Sequence, residues 1–194
     1  MMRAPDPSAF HPRKRDALAT TEAILAAARS VFTEKGYDGA GTRQIAERAQ
    51  VNVALISRYF GSKEGLFAAA VPPMMTLDTM LCGDMSDLGA RLAASLTHKQ
   101  AKAGFDPMLA LLRAAASPDA VPILRQALTA QVLEPLAARL DGDHRVERAA
   151  LVGALIVGFD LVTRVLGLQA SSDGTAKALE AALAKSIQSL VDQP

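Results

Sequence analysis

Between residues 42 and 67 the chain reads TRQIAERAQVNVALISRYFGSKEGLF, and its polar side chains are of the types that read nucleic acid. Arg43 and Arg58 each carry a planar guanidinium able to fork onto a guanine edge, whereas Thr42, Tyr59 and Lys63 suit phosphate oxygens. Val53, Ala54 and Ser57 are small enough to let a helix come close to a groove. Spacing assigns these groups to elements. Thr42 reads as the N-cap of a short helix in which Ile45, Ala46 and Ala49 share a face. A break at Gln50–Val51 follows, and Asn52 caps a second helix. In that helix Ile56 and Phe60 lie four apart and point inward, leaving Ala54, Ser57 and Arg58 outside. Ser62 caps a third, whose first turn pairs Lys63 with free backbone N–H groups, a combination that attracts phosphate. The pattern is a helix-turn-helix with its recognition helix over residues 53–59.

A structural helix must hold these short pieces at a fixed angle. It is expected to start at Asp16 or Thr20, to turn Ile24, Ala28, Val31 and Phe32 inward, and to stop at Gly36 after Lys35. Ahead of it, residues 1–19 carry Pro5, Pro7, Pro12 and the cluster Arg13–Lys14–Arg15 without an apolar run, so they are no signal peptide. They read as a disordered basic arm that either meets the DNA backbone or minor groove or is a solvated terminus.

Residues 20–67 resemble the DNA-binding domain of the TetR family of transcriptional regulators, in the successive patterns TEAIL-AAARSVF-EKGY, TRQIAERA-V and RYFGSKEGLF. The resemblance implies a ligand-responsive regulator, a repressor released from a palindromic operator by a small molecule, with a ligand cavity and a two-fold bundle formed by the last two helices of each subunit. Three positions depart from the family pattern. Gln50 replaces the usual turn Gly, Ser57 replaces a Tyr that touches a phosphate, and Gly41 replaces a Ser or Thr.

Composition agrees with an all-α chain. Half of the 194 residues are apolar, only eight are aromatic, and Ala and Leu dominate. The length suits a small N-terminal three-helix domain over residues 20–67 and a larger helical ligand-binding and dimerisation domain over 68–194. The net charge of +1 excludes a polycation that coats nucleic acid. Its distribution is uneven: residues 1–70 hold ten Lys and Arg against seven Asp and Glu, while 71–194 hold eleven against thirteen. The single cysteine, Cys82, excludes an internal disulfide and fits a reducing cytoplasm.

Beyond the break at Pro72–Pro73 the pattern is less regular. A helix is expected from Asp87 to about Lys99, and a second capped by Asp106 with Pro107 at its first position. A long segment over residues 119–140 carries Leu124, Leu128, Val132 and Leu136, with an interruption expected at Pro135. Residues 144–168 read as one long helix. Its unbroken apolar run over 149–159 is too short to span a bilayer, so no membrane role is expected. Gly153 and Gly158 permit close helix approach. A closing helix over about 174–191 carries Leu179, Leu183, Ile187 and Leu190. The stripe Leu151, Leu155, Val162 and Leu166, widened by Ala150, Ala154, Leu161 and Val165, exceeds what one neighbouring helix covers, which predicts a homodimer. Leu151, Leu155, Gly158, Val162, Leu183 and Ile187 are the expected interface.

Other constellations carry little chemistry. His11, His98 and His144 lie in unrelated segments without metal-ligand spacing, so surface or cap roles outweigh coordination. Cys82 has no basic neighbour to make a thiolate. Asp160 and Arg164 are either a solvated i,i+4 pair or an intersubunit bridge. No phosphate loop, nucleophile elbow or carboxylate pair appears, so neither catalysis nor a cofactor is expected. Met75, Met80, Phe105, Met108, Leu112 and Leu128 are the expected ligand contacts, in a region rich in adaptable thioethers that also serve as core filler. Two function classes follow: a regulator binding double-stranded operator DNA and a small, mainly apolar effector, or a helical small-molecule-binding protein or enzyme with a vestigial helix-turn-helix. The basic N-terminal third favours the first.

Overall fold

The computed structural model describes residues 12–72, 77–98, 105–168 and 173–193, and among them every regular element is helical. Met75 and the first eleven residues of the expected arm lie outside the described residues. The first helix, α1 (Pro12–Gly39), starts well before Asp16, so residues 12–19 belong to a helix and not to an arm. Its proline fits the first turn, where the missing N–H has no intrahelical partner to lose. Gly36 breaks its ladder at φ 70°, a conformation open to glycine.

The helix-turn-helix follows as α2 (Thr42–Arg48) and α3 (Val53–Phe60), and α4 (Lys63–Ala70) leads into the remainder. Together with α1 they enclose a core of Ile24, Val31, Phe32, Ile45, Ile56, Leu66 and Phe67, in which the Phe32 and Phe67 rings meet edge to face at 5.0 Å. This core does not end at the predicted domain border. It continues into Ala110, Leu111 and Ala114 of α7 (Pro107–Ala114) and Ala120 and Leu124 of α8 (Ala120–Leu128). So small a three-helix module buries too little surface alone, and α7 and α8 supply the rest.

A second core gathers the short α5 (Asp78–Leu81), α6 (Leu88–Thr97), α9 (Glu134–Ala137), α10 (Arg145–Asp160) and α11 (Asp173–Val191). The closing helix packs chiefly along α6, where Gly89 lets the backbones touch and donates its N–H to Gln188 Oε1 at 2.8 Å. Leu183 and Ile187 are buried in this core, 7% and 0% exposed, so neither is available as a dimer contact.

Two expected helices are interrupted. The segment after α8 widens into a π turn, Thr129–Leu133, upstream of Pro135 rather than at it. Proline cannot donate to the carbonyl four residues back and its ring crowds it, so the turn that precedes it opens. The long penultimate helix likewise passes from α10 into a π turn at Leu161–Val165, which rotates the apolar stripe beyond residue 160. His144 precedes α10 in the left-handed region, at φ 53°, rather than within a helix. Asp160 is fully buried, and the Arg164 side chain expected beside it lies outside the described residues. No helix among the described residues is long and apolar enough to cross a membrane.

Candidate nucleic-acid interface

Each end of the helix-turn-helix is held by identifiable bonds. At the end of α2, Gln50 N–H donates to Glu47 O at 3.1 Å and Val51 N–H to Ala46 O at 3.0 Å, the paired bonds of a Schellman stop. That stop needs a left-handed residue, and Gln50 adopts φ 56° where glycine would be unstrained. Asn52 Oδ1 then accepts from Ala54 N–H at 2.9 Å and starts α3, as its position predicts. Gly61, at φ 75°, turns the chain into α4, where Ser62 Oγ accepts from Gly65 N–H at 3.2 Å.

Thr42 differs from its expected role. Gly41 is the N-cap, with no side-chain bond, and Thr42 is the first helical residue, half-buried. The departure at Gly41 thus removes a cap and moves the hydroxyl one position along.

The two faces of α3 separate cleanly. Ile56 is 1% exposed and Leu55 and Phe60 pack against the core, whereas Val53, Ala54, Ser57, Arg58 and Tyr59 are exposed together. Arg43 is exposed on the first turn of α2, and neither it nor Arg58 enters an ion pair among the described residues. Arg48 acts instead within the protein, where its guanidinium forks onto the Glu34 carboxylate at 2.6 and 2.9 Å and ties α2 to α1. That fork, followed by the Ser30 hydroxyl, holds the Glu34 carboxyl below its ordinary range. Lys63 is half-buried, with its ammonium 4.5 Å from the Tyr37 ring centre and donating to Asp38 O at 3.5 Å. The Tyr37 hydroxyl donates to Glu64 at 3.0 Å, and burial followed by that carboxylate pushes the phenol up, so it stays neutral.

The second core borders a cavity of about 520 Å³. Of the residues expected at a ligand, Met80, Met108 and Leu128 line it, whereas Phe105 and Leu112 pack against the first core and do not. Its other walls come from Leu92, Ser95 and Leu96 of α6, Val132 and Leu133 of the π turn, and α10. Ala150, Gly153, Ala154 and Val157 of α10 fall at i, i+3, i+4 and i+7, a stripe of small residues that leaves the space open. That spacing was the available signal for the wall. No described lining residue is charged, and Thr79 and Ser95 supply hydroxyls.

Two family profiles match the chain: bacterial regulatory proteins of the tetR family over residues 24–70, and the tetracyclin repressor-like C-terminal domain over residues 86–191. A protein named "Probable HTH-type transcriptional regulator YttP" of Bacillus subtilis is 45% identical over 49 residues, 25% of this chain and 24% of that one. An HTH-type transcriptional repressor of Mycobacterium tuberculosis is 41% identical over 59 residues, 30% of this chain and 31% of its own. These matches span about a quarter to a third of the relatives' length. The crystal structure of a TetR-family regulator from Streptomyces coelicolor superposes with a TM-score of 0.60 at 25% identity, over 96% of this chain and 100% of that one. With the C-terminal profile spanning more than half of its residues and the N-terminal profile its helix-turn-helix, the chain belongs to the TetR family of bacterial regulatory proteins.

Proposed function

We propose that the protein is a homodimeric transcriptional repressor that holds a near-palindromic operator and leaves it when a small, mainly apolar molecule enters the cavity. The exposed face of α3 carries the reading: five neighbouring side chains, one a guanidinium, project from a helix whose opposite face is buried. Arg43 and Arg58 read base edges in the major groove, and Thr42, Tyr59 and Lys63 meet phosphates. Val53, Ala54 and Ser57 let α3 approach closely. Such a regulator works in the cytoplasm, where Cys82 stays reduced.

The effector follows from the wall. Methionine, leucine and valine side chains bury apolar surface, and two hydroxyls orient it, while no described charge would neutralise an ion. Its effect depends on differential affinity for the DNA-competent arrangement. Leu151, Leu155, Gly158 and Val162 form the contact between copies: Leu151 and Val162 are exposed, and Leu155 and Gly158 are half-buried between them.

The test is binding, by gel shift or fluorescence anisotropy, to DNA from upstream of the protein's own gene. Retention of that DNA in preference to a scrambled duplex is expected. An inducer must bind more weakly to the operator complex, by the factor by which it weakens DNA binding. A protein that shows no sequence preference at any salt concentration is not this regulator.

A further inference from the structure

We infer that Arg113 couples filling of the cavity to the helix-turn-helix, an inference that rests on the regulatory reading above. The α7 helix is a short rod attached at both ends. Its start, Pro107, Met108 and Leu111, is a wall of the cavity. Its last turn carries Arg113, whose guanidinium donates to the carbonyl of Thr33 at 2.6 Å and to that of Glu34. Those carbonyls lie just ahead of Gly36, where α1 leaves helical dihedrals and its i→i+4 ladder stops. A cation there also meets the negative end of the helix. The backbones lie close as well, since a Cβ on Gly36 would sit 3.4 Å from Arg113 Cβ. Beyond α7, Ser117 Oγ donates to the Asp38 carboxylate at 2.8 Å, a second tie to the same segment.

From Glu34 the chain of contacts continues outward. The residue whose carbonyl is held by Arg113 uses its carboxylate to hold Arg48 at the end of α2. A shift of α7 is therefore delivered to α1 at Glu34 and from there to the first helix of the helix-turn-helix. Coupling between sites is carried by such contiguous bonds and rigid elements. Arg113 is a positioning residue: it touches neither the cavity nor the DNA-reading face.

The test measures transmission rather than stability. The cavity is filled in two ways: with Nile red, a neutral dye that fluoresces in apolar surroundings, and by the substitution Ser95→Phe. Hydrogen exchange of the backbone amides of residues 42–60 is read with and without each filling. In the parent, filling is expected to change exchange at these amides at least tenfold. In Arg113→Ala and Arg113→Gln the change should fall below threefold, with the dye bound within threefold of its parental affinity. Arg113→Lys, which keeps a cation able to donate to a carbonyl, should restore part of the response. A merely structural role would shift baseline exchange and leave the response intact. A full response in both the alanine and glutamine variants would overturn the role of Arg113 alone. A parent that responds to neither filling would overturn the regulatory reading and this inference with it.

Discussion

Two arginines on one short helix are alike in the sequence, and their partners distinguish them. Arg43 and Arg48 both end in free-swinging guanidinium groups in the sequence, yet Arg48 is held by Glu34 while Arg43 stands open. Replacing Arg43 or Arg58 by alanine should cost ~1–3 kcal/mol of operator affinity and relax preference at one base position. Lys63→Ala should instead weaken all sequences alike and flatten the dependence of affinity on salt, since a phosphate contact releases counterions without reading bases. Salt titrations of binding to the operator and to variants changed at single positions separate the two; unchanged preference in both arginine variants would reject the base contacts. Glu34 gives a pH prediction. Its carboxyl lies below its ordinary value of 4.5 because Arg48 and Ser30 donate to the charged form. The bridge thus contributes its full stability above about pH 4.5 and loses it as the pH falls through the lower folded value. Urea midpoints followed from pH 6 to 3 should fall less steeply in Glu34→Gln than in the parent.

At the scale of elements, caps are readable in the sequence and packing partners are not. Asn52, Ser62 and Asp106 sit where a short polar side chain precedes an apolar periodic run, and each accepts from a backbone N–H in the first turn of its helix. Cap chemistry is local, so one sequence suffices to find it. Thr42 misses the cap by one residue because Gly41 already adopts the extended cap conformation. The π turns escape a reading of the sequence because the effect of Pro135 falls upstream of it, and because nothing local marks Leu161–Val165. The close approach of α6 and α11 depends on Gly89, whereas a Cβ on Gly153 would meet only Leu133 Cδ2 at 3.5 Å and one on Gly158 nothing within 4 Å. A Cβ at Gly89 would run into the Ala184 carbonyl oxygen and lie 2.9 Å from the Gln188 backbone nitrogen, neither of which is a flexible side chain. Gly89→Ala should therefore destabilise by ~1–3 kcal/mol. Thermal unfolding measures the loss; an unchanged melting temperature would mean that α6 and α11 part at no cost.

For the molecule as a whole, the open question is what covers the last third of the chain. Leu151 is 53% exposed, Val162 and Val165 are 42%, and Leu166 and Leu168 exceed 60% in a single protomer. Gly158 lies one turn beyond Leu155 on the face of Leu151, and a Cβ there meets nothing within 4 Å. The substitution Gly158→Asp therefore has room in one chain and becomes harmful only if a second chain buries the carboxylate without a partner. The variant should keep the helical content of the parent, run as a monomer in size exclusion with light scattering, and lose operator binding. A fully dimeric, operator-competent variant would put the interface elsewhere.

The sequence alone determined the helical class, the helix-turn-helix and the inward and outward faces of α3, because these follow from residue periodicity, capping and turn chemistry within a few positions. The N-terminal family pattern was legible for the same reason. Tertiary structure alone decided which apolar stripe meets which. Leu183 and Ile187 look as suited to a partner chain as Leu151 does, yet they close on α6 because Gly89 lets that helix come near. Met108 and Leu112, four apart on one helix, both pack against the DNA-binding core, and only Met108 also reaches the cavity. Hydrophobic attraction has no direction, so periodicity shows that a face is buried and only the assembled helices show against what.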